Sequence, residues 1–326
     1  MRIAVIGAGA WGTALALSFA QRHAVSLWSW QAEHVAAMAA ARENVQFLPG
    51  FRFPDSLELT ADLAEAVGAA DLALVATPMV GLRTTVGQLA GLRPALPFLW
   101  VCKGLEAGSG LLPHQVVAGV HPAATCGALT GPSFAAEVAR GLPAAVTIAS
   151  IDAVFADRLA HQLHGPRLQL YANEDIVGAE VGGAVKNVMA IASGICDGLG
   201  LGLNARAALM TRGLAEMTRF GVALGGQSET FMGLTGMGDL ILTCTGDLSR
   251  NRRVGLLLAA GKALPDIQRD LGHVAEGVMT AREVAQRAMG LGIEMPITAA
   301  ICDVLDGRLS AAGVVDRLMS RDPKHE

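Results

Sequence analysis

The sequence is poor in charged residues and carries no excess of positive charge. Charged side chains make up 17% of the 326 residues and hydrophobic ones 52%, which excludes a disordered polyelectrolyte. The formal net charge of −4 argues against a protein that coats nucleic acid. A chain of this length has room for about two domains with buried cores.

Lysine is scarce, and most of the positive charge rests on arginine. Only four of the 25 basic residues are lysine, namely Lys103, Lys186, Lys262 and Lys324. Arginine does not lose its proton in the physiological range, whereas lysine does so when it is desolvated. Each retained lysine is therefore a candidate for a role that arginine cannot fill.

Paired cysteines and metal-ligand spacings are also missing. The five cysteines are scattered and include no CxxC pair, which is typical of small buried side chains in a reducing compartment. His161 and His164 are three residues apart, but the sequence offers no further ligand nearby. We therefore expect a cytoplasmic protein without a metal cofactor.

The uncharged stretch over residues 3–21 imitates a signal peptide or a membrane span. Gly7, Gly9 and Gly12 would spoil one continuous helix, whereas a strand, a tight turn and a following helix require them. The stretch therefore predicts a strand–turn–helix unit and no stable membrane insertion.

Short apolar runs alternate with helical stretches in the first half of the chain. Strands are predicted at 2–6, 24–28, 71–76, 98–102, 125–129, 144–149 and 167–171, and helices between them at 13–22 and 33–42. Strands that alternate with helices indicate a mostly parallel sheet covered on both faces.

From about Asn173 the pattern becomes helical. Long helices are predicted at 176–195, 204–224, 250–260, 278–291 and 297–305. The predicted fold class is thus an α/β Rossmann-type dinucleotide-binding domain over residues 1–172, followed by an all-α substrate domain over residues 173–326.

The segment Gly7-Ala8-Gly9-Ala10-Trp11-Gly12 is a GxGxxG motif between a predicted strand and a predicted helix. In this context the first glycine makes the turn and the second lets the backbone approach a pyrophosphate. The third lets the helix pack closely on the strand, and the helix N-terminus faces the phosphates. The motif predicts a dinucleotide site, with a glycine turn that binds nothing as the alternative.

The end of the second strand usually distinguishes NAD from NADP through an acidic residue or an arginine. Here it reads Trp28-Ser29-Trp30-Gln31, with neither, and Glu33 comes late enough to lie in the next helix. The choice between the two cofactors therefore stays open.

Lys186 lies in a segment of Gly, Ala, Val and Met, followed directly by Asn187. Scarce water around a lysine lowers its pKa and suits it to proton transfer. The alternative is a structural lysine whose head reaches solvent at a helix-packing seam.

Two further segments of the helical half carry candidate polar groups. Asp239 follows a glycine-rich turn, so it is either a helix N-cap or a site carboxylate. Ser249, Arg250 and Asn251 combine a capping serine with donors in a first helical turn, which suits a phosphate; a solvated basic patch is the alternative. Together with the glycine motif, these segments suggest a hydride-transfer enzyme for a phosphorylated substrate.

The same residues resemble one known family over positions 3 to about 280. The resemblance rests on the glycine motif with Thr13 and Ala14, and on segments that occur in the family's order: 44–49, 102–104, 131–135, 185–187, 203–216, 236–239, 249–253 and 274–277. The chain is similar to the bacterial-type NAD(P)-dependent sn-glycerol-3-phosphate dehydrogenases.

The resemblance implies that dihydroxyacetone phosphate is reduced by NAD(P)H to sn-glycerol 3-phosphate, which supplies phospholipid synthesis. Lys186 matches the catalytic lysine of the family, and Lys103 a second lysine that faces both cofactor and substrate. The residues that match substrate contacts are Lys103, Gly131, Ser133, Lys186, Asp239, Ser249, Arg250 and Asn251. Those that match or line the cofactor site are Gly7, Gly9, Ala10, Trp11, Gly12, Trp30, Gln31, Lys103, Ala135, Arg250, Val274 and Glu276.

The sequence departs from the family at two places in the cofactor site. Many relatives have serine where this chain has Ala10, which removes one hydroxyl contact to a phosphate. Relatives often carry histidine or arginine where this chain has Trp30 and Gln31, and their cationic side chains would favour NADP. The departures bear on cofactor preference and not on the reaction.

Two other functions remain as alternatives. Dehydrogenases of 3-hydroxy acids share the glycine run and the helical lysine, but their asparagine comes one helical turn after the lysine. A non-catalytic redox sensor that binds a dinucleotide would not need Lys103, Lys186 and Asp239 together. The glycine- and alanine-rich helical half is also a candidate for a homodimer interface.

Overall fold

The computed structural model of this chain describes residues 1–271 and 276–319. It separates into two compact units: the first comprises Met1–Lys103 and Leu112–Ile176, and the second comprises Gly104–Leu111 and the chain from Val177 onward. The short segment 104–111 thus groups with the second unit, although it precedes residue 172. The division into domains at residue 172 stays a prediction.

The first unit alternates strands and helices along the chain. Its elements are β1 (Arg2–Ile6), α1 (Ala10–Ala20), β2 (Ala24–Trp28), α2 (Ala32–Ala41), β3 (Glu43–Asn44), β4 (Leu48–Arg52), β5 (Leu57–Thr60), α3 (Leu63–Gly68), β6 (Leu72–Val75), α4 (Met79–Leu92), β7 (Phe98–Trp100), α5 (Pro113–Val120), β8 (Cys126–Thr130), α6 (Ala135–Ala139), β9 (Ala144–Ala149), α7 (Ala153–Leu163) and β10 (Leu168–Asn173).

One sheet organises this unit, with the strand order β10-β9-β8-β7-β6-β1-β2-β5. The six strands β8, β7, β6, β1, β2 and β5 run parallel to one another. Strand β9 is antiparallel to β8, and β10 is parallel to β9. The chain leaves β1 towards β2 on one side and later returns to β6 on the other. This reversal of strand order opens a crevice at the carboxyl ends of β1 and β6, where open α/β sheets bind their ligands.

The core of the first unit lies on both faces of the central strands. Consecutive residues of the central strands are almost fully buried, such as Ile3 with Ala4 in β1 and Leu72 with Ala73 in β6. Because successive side chains of a strand point to opposite faces, both faces are covered, as expected for parallel strands with helices on both sides. These strands therefore read as continuous apolar runs, and this is why the sequence predicts them well. The Rossmann-type α/β fold is confirmed.

The second unit is built from helices. In chain order they are α8 (Ile176–Gly198), α9 (Gly202–Ala223), α10 (Ser228–Phe231), a π-helical turn (Leu234–Gly238), α11 (Asp239–Thr245), α12 (Arg250–Ala259), α13 (Leu264–Leu271), α14 (Glu276–Gly290), α15 (Pro296–Leu305) and α16 (Ala311–Met319).

Helix α8 is the central helix of this unit. It is long and apolar enough to cross a membrane, but 94% of its most apolar 18-residue window is buried within the structure, as is typical of a core helix. Helix α12 crosses it at a glycine-to-glycine contact. A Cβ on Gly194 would lie 2.0 Å from the carbonyl oxygen of Arg252, and one on Gly255 would lie 2.1 Å from that of Ile191. The two backbones therefore meet where neither helix has a side chain.

A buried carboxylate caps the N-terminus of α15. Glu216 on α9 is 2% exposed and accepts from the backbone N–H groups of Ile297 and Thr298 at 2.6 and 3.2 Å, and from the Thr298 hydroxyl at 3.2 Å. These donors favour the carboxylate, but burial outweighs them and raises the pKa of Glu216 to about 7.

This pKa predicts a specific pH dependence of stability. The ordinary pKa of 4.5 applies in the unfolded chain, so the folded protein binds more protons between pH 4.5 and about 7. The free energy of unfolding therefore falls as the pH rises through this window, by up to about 3 kcal/mol. In the Glu216→Gln variant the free energy of unfolding should change less with pH in this window, because the carboxyl group that binds the extra proton is gone.

Urea unfolding of both proteins at several pH values, followed by far-UV circular dichroism, measures the effect. All four tryptophans precede residue 104, so tryptophan fluorescence reports on the first unit, and the helical signal is needed to follow the second. Parallel stability curves for the wild type and E216Q would contradict the assignment.

Candidate active site

The glycine turn lies at the carboxyl end of β1, in the crevice of the sheet. Gly7 has a φ of +121°, and a Cβ there would lie 2.7 Å from the carbonyl oxygen of Ala76, just after β6. A Cβ on Gly12 would lie 2.0 Å from the carbonyl oxygen of Gly7. Two of the three glycines are thus required by the close approach of backbone to backbone.

Gly9 differs from these two because an added Cβ would meet nothing within 4 Å. Gly9 is the N-cap residue of α1, and among the described residues no side chain caps this helix. The N–H groups at this helix N-terminus thus have no capping side chain within the described ranges, and a helix N-terminus of this kind is suited to phosphates. The turn fits the pyrophosphate of a dinucleotide, with Ala10, Trp11 and Gly12 in the first turn.

The end of β2 presents two exposed side chains beside this turn. Trp28 is buried, and its indole N–H donates to the carbonyl oxygen of Ala61 at 3.0 Å. Trp30 is 75% exposed, and the exposed Gln31 is the N-cap residue of α2. Glu33 lies in the first turn of α2, as predicted.

A cavity of about 700 Å³ lies between α2 and the segment that follows it, and it is lined among others by Gln31, Glu33, His34, Glu43 and Gln46. Gln31 is the member of the predicted cofactor set that lines it. None of the residues that line the cavity belongs to the glycine turn, and the carboxylates of Glu33 and Glu43 disfavour a phosphate group there.

Three predicted substrate residues of the first unit converge on one carbonyl group. The ammonium group of Lys103, just after β7, donates to the carbonyl oxygen of Gly131 at 3.3 Å. The hydroxyl of Ser133 donates to the same oxygen at 3.1 Å. Gly131 directly follows β8, so the carboxyl ends of two neighbouring parallel strands bring these residues together.

Ala135 is the first residue of α6 and packs against α1. It belongs to an apolar cluster around Ala14 and Val138 that also includes Ala10 and Trp11. Ala135 therefore lies next to Ala10 and Trp11 of the glycine turn, and its contact with a cofactor stays a prediction.

Lys186 and Asp239 form a buried ion pair in the second unit. They lie on α8 and at the start of α11, 53 residues apart in sequence, and are 7% and 1% exposed. The Thr243 hydroxyl donates to the Asp239 carboxylate at 3.3 Å and to its backbone carbonyl at 2.6 Å. Gly238 is the N-cap residue of α11, so Asp239 is not a cap.

The predicted phosphate segment divides into a capping residue, an exposed cation and a buried amide. Ser249 caps α12 by accepting from the N–H of Arg252 at 3.2 Å. Arg250 is the exposed first residue of α12, and its guanidinium has no ion-pair partner among residues 1–271 and 276–319. Asn251 points inward and is buried.

Asn251 belongs to a chain of polar groups that links three helices. Its amide donates to the side-chain oxygen of Asn187 on α8 at 3.0 Å and accepts from the N–H of Gly277 on α14 at 3.0 Å. Asn187 in turn donates to the carboxylate of Glu276 at 3.4 Å. Glu276, predicted in the cofactor site, is therefore connected to Asn251, predicted in the substrate site.

One predicted site residue cannot be placed, and two polar residues of the site region were missed. Val274 lies outside the described residues. Asn187 and Thr243 were not among the predicted site residues, although Asn187 directly follows Lys186 in the sequence. Thr243 lies one helical turn after Asp239, and that i, i+4 spacing is the only sequence signal that could have found it.

Within residues 1–271 and 276–319 no group of three histidine, cysteine, aspartate or glutamate side chains is arranged to hold a metal ion.

A glycine turn at the switch point of a Rossmann-type sheet and a buried lysine–aspartate pair in a helical unit define an NAD(P)-dependent oxidoreductase. The models of two families match this chain, described as the N-terminus and the C-terminus of NAD-dependent glycerol-3-phosphate dehydrogenase, over residues 2–156 and 175–316. The chain belongs to the NAD-dependent glycerol-3-phosphate dehydrogenase family, and the resemblance found in the sequence is confirmed.

Relatives of known name match along the whole chain. The glycerol-3-phosphate dehydrogenase (NAD(P)+) of Dechloromonas aromatica is 62% identical over 327 residues, which cover 100% of this chain and 99% of the relative. That of Aromatoleum aromaticum is also 62% identical, over 328 residues and 100% of both chains.

A solved structure agrees with the fold. The glycerol-3-phosphate dehydrogenase of Coxiella burnetii has a TM-score of 0.94 and 41% sequence identity, covering 98% of this chain and 99% of that one. The D-mandelate dehydrogenase structure with NADH and anilino(oxo)acetate, at 16% identity and a TM-score of 0.63, shares the fold alone.

Proposed function

We propose that this protein catalyses the reversible NAD(P)H-dependent reduction of dihydroxyacetone phosphate to sn-glycerol 3-phosphate. The observation that carries the proposal is the 62% identity, over the full chain, to proteins named glycerol-3-phosphate dehydrogenase. The buried Lys186–Asp239 pair supports it, because the reduction of a ketone needs a proton donor that is shielded from water.

Lys186 is the proposed catalytic acid. The carboxylate of Asp239 stabilises its ammonium form, and Thr243 holds that carboxylate through a hydrogen bond. The ammonium group donates to the oxygen on C2 of the substrate and gives up a proton as the alkoxide develops. In the reverse direction the amine accepts that proton. Lys103 assists with a second positive charge at the same substrate.

The phosphate group of the substrate is proposed to bind at the N-terminus of α12. Arg250 offers an exposed guanidinium there, and the helix N-terminus favours a dianion. Ser249 and Asn251 hold this first turn in place through their own hydrogen bonds. Gly131 and Ser133 complete the proposed substrate set from the first unit.

The dinucleotide is proposed to lie along the glycine turn. Gly7, Gly9 and Gly12 shape that turn, Ala10 and Trp11 follow Gly9 in α1, and Trp30 with Gln31 lies at the ribose end. Lys103, Ala135, Arg250, Val274 and Glu276 complete the proposed set. When bound, NAD(P)H supplies the hydride that reduces C2 of the ketone.

Further parts of the proposal concern the cell. We expect the protein to act in the cytoplasm, to form a homodimer through its helical unit, and to supply sn-glycerol 3-phosphate to phospholipid synthesis. Size-exclusion chromatography with light scattering measures the oligomeric state directly.

Steady-state oxidation of NADPH and of NADH with dihydroxyacetone phosphate tests the activity. Parallel reactions contain unphosphorylated dihydroxyacetone or a 3-keto acid. Turnover that requires the phosphorylated ketone is the expected result, and the ratio of the two cofactors measures the preference. Turnover with the 3-keto acid alone would favour a 3-hydroxy acid dehydrogenase, and nucleotide binding without turnover would favour a redox sensor.

The Arg250→Ala variant tests the phosphate position. Loss of a charge-assisted contact to a dianion should raise the KM for dihydroxyacetone phosphate about 10- to 100-fold. Activity with unphosphorylated dihydroxyacetone should change little. Arg253→Ala is the matched control, since Arg253 is an exposed arginine of the same helical turn. An equal loss with both substrates would contradict the role of Arg250.

A further inference from the structure

A buried chain of hydrogen bonds connects the end of β2 with the glycine turn in the first unit. Oγ of Ser29 lies 3.2 Å from Nδ1 of His34, and Nε2 of His34 lies 3.1 Å from Oδ1 of Asn44. Nδ2 of Asn44 then donates to the carbonyl oxygen of Ala8 and to the hydroxyl of Thr13, both at 2.8 Å. All five residues are less than 9% exposed.

The donors and acceptors of this chain are fixed by its chemistry. The two hydrogens of Nδ2 of Asn44 go to the Ala8 carbonyl oxygen and the Thr13 hydroxyl, which fixes Oδ1 on the side of His34. An amide oxygen can only accept, so Nε2 of His34 must carry the hydrogen between the two side chains. Nδ1 of His34 is then the acceptor for the Ser29 hydroxyl. Oδ1 of Asn44 also accepts from the N–H of Phe47 at 3.2 Å. Every polar atom of the Asn44 side chain is thus engaged, which holds it in one orientation.

Both ends of the chain lie in segments proposed to bind the dinucleotide. Ala8 is inside the glycine turn, and Thr13 follows Gly12 in the first turns of α1. Ser29 directly precedes Trp30 and Gln31. A turn made of glycine and alanine offers no polar side chain that could fix its position. Asn44 supplies a side-chain donor from outside the turn, which adds to the backbone hydrogen bond from Gly7 to Trp28.

We propose that Asn44 is a positioning residue for the dinucleotide, and that His34 orients Asn44. Asn44 fixes the Ala8 carbonyl group and the start of α1, so that the free N–H groups after Gly9 are arranged for a pyrophosphate before it binds. This inference rests on the proposed function, because it assumes that the glycine turn binds the cofactor.

The Asn44→Asp variant tests the proposal. Aspartate has the shape of asparagine and keeps the acceptor for His34 and Phe47, but it cannot donate to the Ala8 carbonyl group. We expect the Kd for NADPH or NADH, measured by calorimetry, to rise about 10- to 100-fold, because the buried Ala8 carbonyl group then loses its hydrogen-bond donor. The turnover at saturating cofactor should change much less than the KM.

Ser150→Ala is the matched control. The Ser150 hydroxyl is buried in the same unit and donates to the carbonyl oxygen of Cys126 at 2.7 Å, at the amino end of β8. S150A should lower the melting temperature without changing the Kd. If N44D fails to fold, the pair Thr13→Val and Thr13→Ser replaces it, and affinity should fall in T13V and be retained in T13S.

Each outcome decides between defined alternatives. Equal affinity of wild type and N44D, or of T13V and T13S, overturns the proposal. An equal loss of affinity in S150A and N44D also overturns it, because the effect then follows stability alone. A wild-type protein that binds neither dinucleotide refutes the proposed function itself, and this result is distinct from the first two.

Discussion

Replacing Lys186 with alanine should lower the turnover of dihydroxyacetone phosphate by about 10²- to 10⁴-fold, the range for a lost acid catalyst and oxyanion donor. The substitution removes the proton donor and leaves Asp239 as a buried carboxylate without its cation. Binding of NADPH should stay near the wild-type value, because the glycine turn belongs to the other unit. Tryptophan fluorescence reports this binding, since Trp11 and Trp30 lie in the proposed cofactor site.

Two further variants make this experiment specific. Lys186→Arg keeps a positive charge beside Asp239 but cannot release a proton, so it should fold and remain nearly inactive. Lys262→Ala is the control, because Lys262 is a half-exposed lysine of the second unit, 2.9 Å from Asp270. It should turn over substrate at the wild-type rate. Unchanged turnover in K186A would refute the assignment of the acid.

Replacing Gly255 with alanine should strongly destabilise the second unit. The added Cβ would lie 2.1 Å from the carbonyl oxygen of Ile191 and 2.8 Å from Cα of Gly194. Both are backbone atoms, so α8 and α12 must move apart. Overpacking of this kind costs about 1–3 kcal/mol and occasionally more, and here it also shifts the first turn of α12 with Arg250. The free energy of urea unfolding, followed by circular dichroism, measures the loss.

Gly290→Ala is the control for this prediction. Gly290 ends α14 in the same unit, and an added Cβ would meet nothing within 4 Å. Alanine there should be neutral or stabilise by about 0.4–1 kcal/mol, because it restricts the unfolded chain. If G255A were as stable as G290A, the close contact between α8 and α12 would be wrong.

The regular elements with strong apolar patterns could be predicted from sequence. β1, β2 and β9 have the predicted bounds, because buried strands are short continuous apolar runs. The hairpin of β3 and β4 was missed, since β4 contains Pro49 and Gly50 and is largely exposed. The direction of β9 was also beyond prediction, because side-chain alternation does not encode whether a strand runs parallel.

The candidate site was predictable residue by residue but not as a set of contacts. The scarcity of lysine pointed to Lys186, and the glycine-rich turn pointed to Asp239, but nothing in their 53-residue separation indicates that they pair. The interpretation of Asp239 as a cap or a site carboxylate could be decided only by the start of α11 at that residue. Asn44 likewise acts through a contact 36 residues away in sequence.

The reversal of direction between β8 and β9 has a practical consequence for handling the protein. Strand β9 ends beside the start of β8. The loop that follows β9 therefore lies at the end of the sheet where the parallel strands begin, opposite the end that carries the glycine turn. Ile151 in this loop is 84% exposed. A side chain introduced at position 151 for attachment to a biosensor surface would leave the end of the sheet with the glycine turn facing the solution. Immobilisation at this point suits a surface-based measurement of nucleotide affinity.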